Sequence, residues 1–544
     1  MRATRFSRGA LGAAGVLCLG LSGLGATALA ADPIGPGNIN FDEKGSILIH
    51  KHEKMEGATT GTASGTPGKT GAPVQGVTFT AFKLDADLSD NGVWKKLSEL
   101  TVPNDACGSD FKSPVDQVGT LAVQKDQKKE SNETGSDGQA TIGQLAVGAY
   151  LVCETASPAK VTEKAAPFVV TVPFPNTEEN KAQGAGENSN GKWLYNVNVY
   201  PKNVLVQAPE KDVKVVKYGL NDEAQVEFPV TATVPKISDN VSFEYFILSD
   251  PMGEGYTTPD IKENSVTLAG NVVDSSWYTK KLVGNEITLS FTKVGLENLK
   301  KNPDAKVAVV FTAKTKTPSA KIDNTANLYV NTIPGATPPD TPTPTPPTNV
   351  PPVPSNKAVT AWGAASVFKK DKQNNDALKG ATFKIYNAAD PWAQDCGKAV
   401  VASDDPKTDV VENAPISVNG NTEFTTDEHG KFNIDGLYVD SKKGAAGQEE
   451  VAVEHNSRCY VLVETKAPEG YVLPTDDGAN TALKVTAGET TDHQVDITNT
   501  KSTVPQLPLT GAAGKILMTV GGLSPMAIAV GFVLAARKRR ANEA

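Results

Sequence analysis

The 544-residue chain is poor in the side chains on which most enzymes and metal sites depend. It has only five histidines and five cysteines. The histidines (His50, His52, His429, His455 and His493) show neither H-E-x-x-H nor H-x-x-E-H spacing, and there is no C-x-x-C pair and no Gly-rich phosphate loop. These absences argue against an enzyme in general and a secreted hydrolase in particular, and no metal or cofactor is expected. The acidic piece Ser403-Asp404-Asp405 reads as solvated loop rather than a calcium site. Net charge is -9 with no long run of one sign, which argues against a nucleic-acid partner.

The two apolar stretches that stand out lie at the ends. Residues 1–30 begin with Arg2, Arg5 and Arg8, continue through an apolar run at 11–26 and close with small residues at Ala28 and Ala30. That order is a secretory signal, with a mature start near Ala31. At the other end an apolar stretch at 516–536, long enough to span a bilayer, is followed by Arg537, Lys538, Arg539 and Arg540. Export removes Cys18, leaving Cys107, Cys153, Cys396 and Cys459. An even number in a secreted chain suggests two disulfides. Three pairings are possible, and the domain boundaries below favour Cys107–Cys153 and Cys396–Cys459.

With 39% hydrophobic residues, 48 glycines and 36 prolines, the interior suits β-rich domains joined by turns. Strand patterning at 45–51, 77–84, 149–154, 168–172 and 193–200, interrupted by Gly- and Ser-rich stretches at 57–71 and 184–191, outlines a first domain over 31–205. A second, 206–333, has strand candidates at 226–234, 241–249, 265–268, 286–291, 306–314 and 324–330, spaced as in a β-sandwich. Residues 334–354 then contain ten prolines. The segment 334–356 reads as a semi-rigid linker, which at about 3.1 Å per residue would reach about 60 Å when extended. A third domain, 357–502, repeats features of the first. Each has an opening strand that ends in lysine, a G-x-x-F second strand (Gly76 to Phe79, Gly380 to Phe383) and a late Tyr-x-aliphatic-x-Glu-Thr piece, with Val152 in the first and Leu462 in the third. The terminal segment is 503–544.

Three motifs carry resemblances. Leu507-Pro508-Leu509-Thr510-Gly511, directly before the terminal apolar stretch and its basic tail, resembles the cell-wall sorting signal read by sortases. The resemblance implies cleavage after Thr510 and transfer of its carbonyl to an amine. The segment Trp193-Leu194-Tyr195-Asn196-Val197-Asn198-Val199-Tyr200-Pro201-Lys202 resembles the pilin motif of Gram-positive shaft pilins, such as the Spa-type pilins of corynebacteria and the fimbrial shaft subunits of Actinomyces. Strand alternation puts Trp193, Val197 and Val199 on one face, and Pro201, lacking an N–H, is expected to end the ladder and display Lys202. The resemblance makes Lys202 the intersubunit nucleophile and Thr510 the acyl donor. Tyr460-Val461-Leu462-Val463-Glu464-Thr465 resembles the E-box of Cna-B domains, which implies a Lys–Asn isopeptide bond promoted by Glu464, with Asn499 as acceptor. Lys369 and Lys370 compete as donor, and Lys370 is preferred because it shares a face with Phe368. By the same logic the first domain offers Lys51, Glu154 and Asn203. The second resembles the pilin domain type with an aspartate as the acid, implying Asp250 and Asn324. Lys211 is preferred there over Lys214 and Lys217, on the K-x-V pattern that opens such domains.

The expected fold is therefore all-β: tandem Ig-like or Cna-type sandwiches between a signal peptide and a transmembrane sorting helix. The expected function is a pilus shaft subunit on the surface of a Gram-positive bacterium. Its expected partners are a pilin-specific sortase, identical subunits, peptidoglycan, and tip and base pilins, with the adhesive receptor unassigned. The rival readings are a monomeric wall-anchored adhesin, which the proline-rich linker favours, and a minor or basal pilin.

Overall fold

In a computed structural model of the chain, residues 39–176, 193–220, 225–397, 401, 414–488 and 494–502 are described. The signal segment, residues 507–511 and the terminal apolar stretch lie outside them, as does the acidic piece at 403–405. No helix among the described residues is long and apolar enough to cross a membrane.

Among the described residues the architecture is dominated by β-sheet, with two short α-helices, Asn91–Ser98 and Lys293–Lys301. Each domain stacks two sheets over alternating apolar residues, because the period of two along a strand sends every second side chain inward. In the first domain the opening strand Gly45–His50 lies between Asn196–Val199, which runs parallel to it, and Gln139–Leu145. A five-stranded sheet containing Thr78–Leu84 and Gly148–Ala156 covers them. Ile47, Ile49, Val197 and Val199 meet Phe79, Ala81 and Val152 in the core. The other face of the five-stranded sheet carries a smaller cluster around Phe82, Leu151 and the Cys107–Cys153 disulfide. The second disulfide, Cys396–Cys459, sits in a corresponding satellite cluster of the third domain with Val461.

The third domain repeats the layout of the first. Its opening strand, Ala358–Asp371, pairs in parallel with its last, Gln494–Asn499, and antiparallel with Lys431–Lys443. The middle domain sets a seven-stranded sheet against a five-stranded one. One apolar core runs without a break from Phe228 and Phe311 of the middle domain to Trp362 and Tyr460 of the third.

The proline-rich segment is not a free spacer. It packs along the middle domain instead of standing off it as a separate semi-rigid link. Ser242 Oγ and Ser290 Oγ donate to the carbonyls of Thr337 and Thr343, each at 2.7 Å, and Lys293 pairs with Asp340 at 2.6 Å. Val353–Pro354 then adds antiparallel to Asn327–Pro334. Proline costs nothing in these places, because an outer strand leaves one row of N–H groups without a ladder partner.

Candidate functional site

Three buried triads, one per domain, unite the residues singled out by sequence. In the first, Lys51 Nζ donates to Glu154 Oε2 at 2.8 Å, and Asn203 Nδ2 donates to both carboxylate oxygens at 3.0 Å. In the second, Lys211 Nζ pairs with Asp250 Oδ2, to which Asn324 Nδ2 also donates at 3.4 Å. In the third, Lys369 Nζ donates to Glu464 Oε2 at 2.8 Å and to Asn499 Oδ1 at 2.5 Å, while Asn499 Nδ2 donates to Glu464 Oε1 at 2.7 Å. All nine side chains are buried.

The third triad corrects the lysine expected from the sequence. Lys370 is not in it. Its ammonium reaches Asp496 at 2.7 Å on the surface side of the sheet. Sharing a face with Phe368 was the wrong criterion, because that face looks outward: Phe368 packs under the Lys370 ammonium at 4.7 Å rather than in the core. In the middle domain Lys214 and Lys217 are exposed, and only Lys211 is buried.

Strand register explains the pairing of donor with acceptor. Asn203 is in register with Glu53, two residues beyond Lys51, and Asn499 with Asp371, two residues beyond Lys369. An offset of two keeps both side chains on the inward face. The same ladder closes one residue later in both domains, where the carbonyls of Asn203 and Asn499 accept from Lys54 and Lys372.

Each lysine also lies against a phenylalanine that sequence reasoning did not assign: Phe79 at 5.5 Å from Lys51, Phe228 at 4.6 Å from Lys211 and Phe383 at 5.5 Å from Lys369. The G-x-x-F repeat of the first and third domains was their signal. Burial pushes the amines of all three lysines below the usual lysine range, against the pull of their carboxylate partners. Burial likewise pushes the Asp250 carboxyl up. A carboxyl that touches both the lysine nitrogen and the carboxamide nitrogen can take a proton from the first and deliver it to the second.

Lys202 is different in kind. It is half-buried, its nearest acceptor is the Thr59 carbonyl at 3.4 Å, and partial burial lowers its pKa. It lines a groove of about 1420 Å³ between the first and middle domains, whose walls include Met55, Phe111, Val204 and Ile237. Two details of the motif depart from expectation. Pro201 interrupts pairing without ending it, since Lys202–Leu205 resumes as a strand beside His52–Glu53. Trp193 does not share the core face of Val197 and Val199. It lies in a separate short strand, its ring 5.2 Å from that of Trp94, and Leu194 packs against the core instead.

The Gly- and Ser-rich stretch at 57–71, which looked like an interruption, covers this motif. Ala63 accepts from the Asn198 backbone and side chain at 3.0 and 3.1 Å. Gly61 lies so close to the Tyr200 ring that a β-carbon there would come within 2.2 Å of it.

Comparison with known proteins agrees with this layout. Residues 42–204 match the family of the Gram-positive pilin subunit D1, N-terminal domain; 363–501 match a prealbumin-like fold domain; and 499–543 match the LPXTG cell wall anchor motif. The chain is 38% identical to fimbrial subunit type 2 of Actinomyces naeslundii over 98% of this chain and 96% of that protein. It is 30% identical to fimbrial subunit type 1 of Actinomyces viscosus over 98% of each. Among solved structures, the full-length major pilin SpaD of Corynebacterium diphtheriae superposes with a TM-score of 0.58 at 26% identity, over 86% of this chain and 99% of that one. The major pilin SpaA of the same organism shares the fold, with a TM-score of 0.53 at 21% identity over 84% of this chain and 100% of that one. The chain therefore belongs to the fimbrial subunits of Gram-positive bacteria, structural proteins of a cell-wall-anchored surface pilus.

Proposed function

We propose that this chain is the shaft subunit of a covalent pilus, in which a sortase joins the Thr510 carbonyl of one copy to the Lys202 amine of the next. The observation that carries the reading is the contrast among lysines. Lys51, Lys211 and Lys369 are sealed in domain cores, whereas Lys202 is half-buried and lines an interdomain groove, its pKa lowered by partial burial. Only a neutral amine attacks an acyl carbon, and an enzyme must be able to reach it. Pilin-specific sortase, identical subunits and peptidoglycan are then the partners, with tip and base pilins at the two ends of the polymer.

Within each subunit the three triads support autocatalytic Lys–Asn isopeptide bonds. The acid accepts a proton from the lysine, and the neutral Nζ attacks the asparagine Cγ. The Cγ–Nδ2 bond breaks, and Nδ2 leaves as ammonia with the proton returned by the acid, which in turn takes up the second proton that Nζ sheds as the amide forms and so ends neutral. The product is a neutral amide, which removes the cost of holding an ion pair in an apolar core.

The rival reading as a monomeric adhesin drew on the proline-rich segment as a free spacer, and its packing against the middle domain withdraws that support. Co-expression with the cognate sortase, followed by boiling of the wall extract in detergent, tests the polymer. A high-mass ladder that vanishes in Lys202→Ala is expected. A single band from the unsubstituted chain would overturn the shaft reading.

A further inference from the structure

In the first and third domains the residues that donate and accept the cross-link are held by direct pairing of two strands. The middle domain lacks that arrangement among its described strands. Glu210–Lys211 pairs with Gln225–Thr233, while Ile322–Asn324 pairs with Ala358–Asp371, the opening strand of the third domain. Donor and acceptor thus belong to different sheets, and what connects them is residues 355–358.

Asn356 is buried, and its Oδ1 accepts the Lys211 N–H while its Nδ2 donates to the Lys211 carbonyl, both at 2.7 Å. Its carboxamide fills the place of the missing neighbouring strand. Ser355 grips the other side in the same two-point way. Its N–H donates to the Ala326 carbonyl at 2.8 Å, and its Oγ accepts from the Ala326 N–H at 3.0 Å, two residues beyond Asn324. Ala358 is in register with Asn324 itself. Asn356 on one side, and Ser355 and Ala358 on the other, therefore hold the backbone around both reacting side chains at once.

We propose that Asn356 is a positioning residue for the cross-link of the middle domain, and that Lys211 and Asn324 are brought to bonding geometry only when residues 355–358 have docked. The inference rests on the reading of Lys211, Asp250 and Asn324 as a cross-linking triad. Asn356 contributes no reacting atom. It fixes the backbone from which Lys211 extends, and a displacement of about 1 Å at a reacting centre can cost on the order of 100-fold in rate. The end of the proline-rich segment then has a function that its composition does not suggest. It makes cross-linking of the middle domain wait for the start of the third.

The test is pulse-chase expression of the full chain, with tryptic digestion and quantification of two branched peptides: the one joining Lys211 to Asn324, and the one joining Lys369 to Asn499 as an internal clock. In Asn356→Ala the ratio of the first rate to the second is expected to fall on the order of 10- to 100-fold. Asn356→Asp keeps an acceptor for the Lys211 N–H, so its ratio falls less. A general loss of stability would slow both peptides and leave their ratio unchanged, and an unchanged ratio overturns the proposal. Should Asn356→Ala yield neither peptide because it fails to fold, Asn356→Asp decides by the same ratio. If the unsubstituted chain shows the third-domain peptide but none joining Lys211 to Asn324, the triad reading itself fails, and the proposal with it.

Discussion

Lys369 and Lys370 are consecutive residues of one strand, and the sheet separates them completely. The first donates to Glu464 and Asn499 in the core, and the second to Asp496 at the surface. Lys369→Ala should therefore leave the third domain heavier by one ammonia relative to the cross-linked form, after correction for the substitution, whereas Lys370→Ala should keep the bond. Intact-mass measurement of the two variants distinguishes them. Retention of the bond in Lys369→Ala would reverse the assignment.

Asp250 bridges the amine and the carboxamide of the middle triad. Asp250→Ala should abolish the branched peptide at Lys211 and leave those of the other domains intact. The variant also leaves an unreacted lysine in the core without its carboxylate, an uncompensated buried charge of the kind that costs about 3–5 kcal/mol. Thermal unfolding should show the middle domain melting well before it does in the unsubstituted chain. A full yield of the peptide would remove Asp250 from the mechanism.

The disulfides share strands with the acids: Cys153 precedes Glu154, and Cys459 lies on the strand that carries Glu464. Cys107 and Cys153 are 46 residues apart, a loop that a disulfide stabilises by about 4 kcal/mol on the chain-entropy model. Cys107→Ala with Cys153→Ala should lower the urea midpoint of the first domain while its branched peptide at Lys51 still forms, because the disulfide lies on the opposite face of the sheet from the triad core.

Asp371, at the end of the strand that carries Lys369, accepts from the Tyr471 hydroxyl at 2.6 Å and faces the Lys501 ammonium at 3.5 Å. The Tyr471 hydrogen bond, backbone N–H groups and Lys501 hold its carboxyl down at about 2, against an ordinary 3.8. The folded state therefore favours the charged form more than the unfolded state does. This contribution is fully present above the ordinary value and is lost as pH falls from there through about 2. Tyr471→Phe should flatten the acid limb of the third domain's stability curve. An unchanged limb would show that the hydroxyl is not responsible.

Much of this protein is legible in one dimension. Export, anchoring, the order of domains and the residue types of each triad follow from local patterns: a basic-apolar-small start, the Leu507 to Gly511 pentapeptide, and strands whose alternation announces an inward face. The disulfide partners also followed, because both pairs close within a single domain. What the sequence could not rank were neighbours in the same strand. Phe368, Lys369 and Lys370 carry no local mark of which face is inward, because that is set by pairing with Gln494–Asn499, more than a hundred residues away, and a slip of one position would exchange the faces. The proline-rich segment is the second case. Its composition fixes a stiff backbone but not what that backbone lies against. Only the middle domain's serines, the outer strand at Asn327–Pro334 and the two-point grip of Asn356 on Lys211 turn it from a spacer into part of a core. Local chemistry chose the residues of this fimbrial subunit, and long-range strand pairing chose which of them meet.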